Sequence, residues 1–152
     1  LSEGRNIQTL LNIDSEYQVL LVVSTLTKDE QNSELREKLL KKSNIKIFDS
    51  YIPEIEEIYQ MSEVYLFPVT EDGHCIDVPL SCLEAASCDL PIITTDFGEM
   101  KEFINKPGFY RMNGADENGL NKLIKSATED EHCSTREAVL PYDWDNCIGD
   151  FS

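Results

Sequence analysis

The residues best placed to do chemistry lie in one stretch, VYLFPVTEDGHCIDVPLSCLEAASCDLPIITTDFGEMKE, residues 64–102. Glu84 is the focal one. It sits within the otherwise apolar run PLSCLEAA, in the second turn of a helix expected over residues 78–87. A carboxylate accepts hydrogen bonds from two neighbouring hydroxyls at once, so one near a helix start is suited to holding a vicinal diol. A solvated helix glutamate is the plainer alternative, and the apolar surroundings weigh against it. The helix start offers a second capability. Its first amides have no partner within the helix and carry roughly half an elementary charge of positive potential, the arrangement that receives phosphate. Leu80 and Ser81 carry amides able to serve, whereas Pro79 has none to give. The plain alternative is an ordinary capped helix, with Asp77 as its natural N-cap and Pro79 in its first turn. His74 and Glu71, in the polar loop of residues 69–76, are further contact candidates, although a loop histidine is more often merely solvated. His132 and Cys133 lack partners at metal-ligand spacing, so no metal site is assigned. There is no phosphate-loop lysine motif and no G-x-G-x-x-G.

Positioning these groups falls to alternating strands and helices. Residues 7–12 read as helical. QVLLVVS, residues 18–24, is a continuous apolar run of the kind found in strands buried on both faces. Residues 29–42 form an amphipathic pattern with Leu35, Leu39 and Leu40 on one face and lysine in the last turn. Short strands are expected at residues 45–48, 64–67, 91–94 and 108–111. Helices are expected at residues 53–61 with proline at the start, 98–104 and 115–127. Met61, Met100 and Met112 read as packing residues. In the tail, residues 129–152, Trp144, Ile148 and Phe151 fit a docked terminal helix. Strands alternating with helices argue for a single α/β domain, Rossmann-like, with a mainly parallel sheet and helices on both faces. Ligands then sit beyond the carboxyl ends of the strands, so the loops after Ser24, Phe48, Phe67 and Thr94 outrank all others; Thr94, Thr95 and Asp96 are candidates to line the cleft. A domain of this type usually opens with a strand. Residues 1–5 are too short and polar to be one, so the first strand is expected to be missing.

The chain has 152 residues, enough for one domain with a normal core. Its formal net charge is −16, with acidic residues concentrated at 54–72 and 129–150. Such a surface repels nucleic acid and anionic lipid. Any diphosphate site must therefore be made locally positive by helix starts and one or two basic side chains. The five cysteines, Cys75, Cys82, Cys88, Cys133 and Cys147, are odd in number and without C-x-x-C spacing. They read as reduced thiols of a cytoplasmic protein rather than a disulfide scaffold. The longest apolar run is too short to cross a bilayer. No signal peptide opens the chain, and Leu1 in place of methionine points to an excerpted product.

The segment from VYLFP through VPLSCLEAASCDLPIITTDFG to Glu102 resembles the signature of GT-B glycosyltransferases of the group 1, E-x7-E-bearing, retaining kind. Weaker similarity runs upstream through NIKIFDSYIPEIEEIYQMSE to GRNIQTLL and downstream to YDWDNC. The resemblance implies one half of a GT-B fold, the C-terminal domain that binds the donor nucleotide sugar, without a metal cofactor. It places Glu84 on the nucleotide ribose and the helix start at Leu80 and Ser81 on the diphosphate. Arg5 matches a family lysine that reaches the diphosphate, and arginine suits bidentate phosphate contact. Residues 49–52 match the nucleobase loop, with Tyr51 and Ile52 as contacts; Tyr51 as a core residue is the alternative. The sequence departs from the family at Ile76, where the first glutamate of E-x7-E belongs. Isoleucine cannot bind a sugar hydroxyl or stabilise a developing cation. Asp77 next door and His74 become the catalytic candidates in its place.

The expected activity is transfer of a sugar from a nucleoside diphosphate sugar to an acceptor. The acceptor would be held by an N-terminal domain absent here, which would also make any membrane contact, so the isolated domain is expected to be inactive. Two other readings share the fold: a catalytically inactive nucleotide-binding or interaction module, favoured by Ile76 and the acidic surface, and half of a nucleotide-sugar epimerase.

Overall fold

The computed structural model describes residues 5–23, 33–70, 75–113, 117–143 and 146. Every described strand pairing is parallel. β1 (Val19–Val22) pairs with β2 (Ile45–Phe48) in one sheet, Val19 opposite Ile45. β3 (Tyr65–Phe67), β4 (Ile92–Thr94) and β5 (Phe109–Arg111) form a second sheet in that order, with Ile92 between Tyr65 and Phe109. The helices are α1 (Ser33–Leu40), α2 (Ile55–Met61), α3 (Leu80–Ser87), α4 (Glu117–Thr128) and α5 (Thr135–Val139). Three 3-10 turns, Ile7–Asn12, Gly98–Glu102 and Leu140–Tyr142, complete the described elements.

Two cores lie on opposite faces of the strands. Leu35 and Leu39 of α1, Leu10 and Ile13, and Leu120, Ile124 and Ala127 of α4 pack with Ile45 and Ile93. Tyr59 of α2, Cys82, Ala85 and Ala86 of α3, Met100, Phe103 and α5 pack with Phe67, Ile92 and Phe109. Successive residues of a strand point to opposite faces, which is why adjacent Ile92 and Ile93 serve different cores while both are 0% exposed.

These cores fix how the sheets wind. α1, between β1 and β2, covers one face; α3 and the Gly98–Glu102 turn, on the connections β3 to β4 and β4 to β5, cover the other. Parallel crossovers are right-handed, so connections on opposite faces advance in opposite directions. In a doubly wound layer this places β1 and β3 at the inner edges of the two sheets, with the winding reversing between them. That reversal is the switch point at whose carboxyl side ligands bind in doubly wound folds. The α3 start and the loops after β2 and β3 all lie on this carboxyl side.

Several expectations need correcting. β1 is not buried on both faces: Leu20 and Val22 are 45% and 41% exposed. Leu40 does not share the face of Leu35 and Leu39; it lies about 100° round the helix from Leu39 and is largely exposed. Met100 and Met112 are buried, but Met61 is exposed. The helices at residues 78–87 and 53–61 begin later than predicted, at Leu80 and Ile55, and Gly98–Glu102 is a 3-10 turn. Trp144, Ile148 and Phe151 lie outside the described residues; within the tail, α5 docks on α3 through Thr135, whose hydroxyl donates to the carbonyls of Leu90 at 3.1 Å and Ala86 at 3.4 Å. No helix among the described residues is long and apolar enough to cross a membrane.

Candidate functional site

The start of α3 is built differently from a side-chain-capped helix. Its N-cap is Pro79, with extended backbone and no side-chain cap. Asp77, read from the sequence as the N-cap, stands outside the helix. Its carbonyl accepts the Glu99 amide at 3.0 Å, and its side chain is exposed. Proline explains the substitution: it sets the entry dihedral and brings no amide of its own. The Cys82 and Leu83 amides donate back to the Pro79 carbonyl at 3.0 and 3.3 Å. The amides of Leu80 and Ser81 have no acceptor among the described residues, which leaves two donors at the positive end of the helix.

Glu84 lies one turn further on and is exposed. Its Oε2 accepts a hydrogen bond at 3.0 Å from the hydroxyl of Tyr59, on α2. Tyr59 is only 7% exposed and meets Tyr65 of β3 edge to face, with ring centroids 5.8 Å apart. Burial, then Tyr65, then the Glu84 carboxylate push the Tyr59 hydroxyl far above its ordinary range, so it stays a proton donor. Burial likewise pushes Tyr65 up, and a side-chain hydrogen bond with Ser81 partly offsets that. Cys82, on the buried side of the same helix, is raised first by burial and then by Cys75. The four described cysteines, Cys75, Cys82, Cys88 and Cys133, are free thiols.

A second concavity opens at the carboxyl ends of β4 and β5, lined by residues including Thr70, Thr95, Asp96, Gly98 and Arg111. Thr94 and Thr95 are buried, and the Thr95 hydroxyl donates to the Val69 carbonyl, tying the β4 end to the β3 end. Thr95 thus lines the cleft mainly as a brace. Asp96 is exposed and paired with Arg111. Gly98 has φ +51°, and a Cβ there would collide with the Asp77 carbonyl. Only glycine lets this loop pass so close to the approach to α3. A groove along Leu83, Ser87, Arg136, Val139 and Tyr142 contains none of the site candidates.

The predicted residues are gathered unevenly. Glu84, Leu80 and Ser81 share α3. Ile76 and Leu80 are 58% and 62% exposed at its approach and first turn. Tyr51 is 80% exposed beyond β2, which overturns the core alternative for it; Ile52 beside it is half-buried. Arg5 is exposed and without a partner among the described residues, and no described contact joins it to α3. His74 and Glu71 lie outside the described residues. No group of three or more metal-capable side chains occurs among the described residues. Two residues were missed. Tyr59 holds Glu84, and Arg36 of α1 pairs with Asp49 at 2.9 Å, steadying the start of the loop with Tyr51. For Tyr59 the signal was its place one turn after Ile55, on the apolar face of IEEIYQM; for Arg36 none was available.

Comparison with known proteins accords with this geometry. A family model for group 1 glycosyl transferases matches residues 5–130. The structure superposes on that of AviGT4, a glycosyltransferase involved in avilamycin A biosynthesis, with a TM-score of 0.66 at 13% identity, covering 99% of this chain and 46% of AviGT4. At that identity the likeness is one of fold. The chain spans less than half of AviGT4's length. No curated protein matches the chain. With the family model covering most of its length and the parallel, doubly wound architecture shared, the chain belongs to the group 1 glycosyltransferases.

Proposed function

We propose that this chain is the donor-binding half of a glycosyltransferase, holding a nucleoside diphosphate sugar for transfer to an acceptor carried by another part of the full-length protein. The observation that carries the reading is the exposed Glu84 carboxylate one turn beyond the amides of Leu80 and Ser81, which have no acceptor among the described residues. The diphosphate rests on the amides and the ribose diol on Glu84. The base lies toward Tyr51 and Ile52, and Arg5, with no competing partner among the described residues, reaches the phosphates. Stabilising the departing diphosphate is the main catalytic contribution of this half, and backbone amides provide it without a metal ion. Among the described residues no strand joins β1 to β3, and in this reading a strand of the full-length protein fills that position.

The test pairs a mutation with a change of ligand. Glu84→Gln keeps shape and one acceptor but loses charge, which is worth about 1 kcal/mol, so a nucleoside diphosphate should bind about fivefold more weakly. The 2′-deoxy nucleotide should bind less tightly than its ribose counterpart to the parent and lose most of that disadvantage in the variant. Calorimetry on both proteins with UDP, GDP and ADP and their deoxy forms closes the cycle. Strict additivity would remove Glu84 from the ribose.

A second reading has its own observation. Ile76, where the family's first glutamate belongs, is exposed at the approach to the site, and a hydrophobic side chain there favours a nucleotide-binding module without transfer chemistry. Asp77 is the exposed carboxylate nearest in sequence. Loss of sugar turnover in the full-length Asp77→Asn protein, with nucleotide binding kept, would decide for the transferase.

A further inference from the structure

We infer that Tyr59 is the positioning residue for Glu84, fixing its carboxylate so that the site distinguishes ribose from deoxyribose; the inference rests on the ribose role proposed above. Glu84 is exposed, and an exposed glutamate ordinarily samples several rotamers, each of which must be given up when a ligand binds. Here one oxygen, Oε2, is held at 3.0 Å by the Tyr59 hydroxyl. An ionised carboxylate has about four acceptor positions. Tyr59 occupies one, leaving Oε1 and the second lone pair of Oε2 open to the two hydroxyls of a diol.

The donor is itself held. Tyr59 is 7% exposed, and its ring stands at 76° to that of Tyr65 on β3, with centroids 5.8 Å apart. Two phenols packed edge to face therefore brace the hydroxyl that holds the Glu84 carboxylate. A tyrosine buried only for packing would need its hydroxyl satisfied, and any carbonyl or water would do. Its acceptor here is the side chain proposed to bind the ligand, so removing the hydroxyl should alter ligand choice as well as stability.

The test is Tyr59→Phe, which keeps the ring and deletes the hydroxyl. Binding is measured with whichever of UDP, GDP or ADP the parent binds most tightly, and with its 2′-deoxy counterpart. The ribonucleotide should weaken about three- to tenfold, the range of one lost hydrogen bond. The deoxynucleotide should change less than about twofold, so discrimination falls toward unity. Equal weakening of both ligands would make Tyr59 a packing residue and overturn the inference. Glu84→Ala separates this from the underlying proposal. If it abolishes discrimination while Tyr59→Phe preserves it, the positioning role alone fails. If the parent binds no nucleotide, or does not discriminate, the ribose role fails and this inference with it. Should Tyr59→Phe not fold, 3-fluorotyrosine placed at position 59 of the otherwise unchanged chain reports the same contact. Its fluorine resonance should move on adding the ribonucleotide and move less with the deoxy form; identical responses would overturn the positioning role.

Discussion

At the scale of single residues, the site depends on where backbone comes close to backbone. Gly98 holds a left-handed φ of +51°, and the space its Cβ would occupy is taken by the Asp77 carbonyl, which also accepts the Glu99 amide at 3.0 Å. Gly98→Ala meets both a conformational cost of about 1–2 kcal/mol and a clash with an atom that cannot swing away as a side-chain tip does. The expected loss is about 2–3 kcal/mol, read in thermal unfolding as a fall of about 4–12 °C. An unchanged melting temperature would mean that the approach to α3 shifts freely. That Glu84, Leu80 and Ser81 share the start of one helix was legible from residue type and order, because a carboxylate inside an apolar helix and amides after a proline are local features. Tyr59 was not. Its hydroxyl meets Glu84 only because α2 and α3 pack together, and no local pattern encodes that pairing.

At the scale of elements, existence was more legible than ends or burial. Every described strand falls where apolar runs predict it, but the helix starts lie later than predicted because the prolines expected in the first turns stand outside the helices, Pro79 capping α3. Leu40 was misplaced because two adjacent leucines cannot both face the core from a narrow helix face. One tie between elements has a pH signature. Tyr110 of β5 donates to Asp130, just past α4, at 2.6 Å. The Tyr110 hydrogen bond first, and the His132 amide second, hold Asp130 below its ordinary 3.8. Burial first, and Asp130 second, hold Tyr110 above its ordinary 10.0. A lowered carboxylate stabilises the fold above pH 3.8, and that contribution is lost as the carboxylate is protonated below it. A raised phenol stabilises below pH 10.0, and that is lost as pH climbs past it. Tyr110→Phe should therefore cost most stability near neutrality, with the gap to the parent narrowing toward both acid and alkali. Denaturant unfolding across pH checks this; a gap independent of pH would mean the pair contributes by packing alone.

At the scale of the whole molecule, the division into two sheets is the feature that composition concealed. VLLVV reads as a central strand, yet among the described residues β1 is paired on one side only, and Leu20 and Val22 are 45% and 41% exposed. Its ladder shows which side is open. The Val19 amide donates to Asn44 at 2.8 Å and the Val23 amide to Phe48 at 2.9 Å, both toward β2. Amides alternate in direction along a strand, so those of Leu20 and Val22 turn to the inner edge, toward the reversal between β1 and β3. An open apolar edge is a template for another strand, and the Ile7–Asn12 turn, packed with α1 and α4, is placed as a crossover from such a strand into β1. If the full-length protein fills that position, hydrogen exchange will differ at alternate residues. In this chain Val19 and Leu21 should be protected while Leu20 and Val22 exchange close to the rate of an exposed peptide. In the full-length protein all four should be protected, with Leu20 and Val22 slowed by about a hundredfold or more, as expected once opening requires sub-global unfolding of a few kcal/mol. Equal exchange at Leu20 and Val22 in the two proteins would show that β1 is a true edge and that the switch point is closed without a sixth strand.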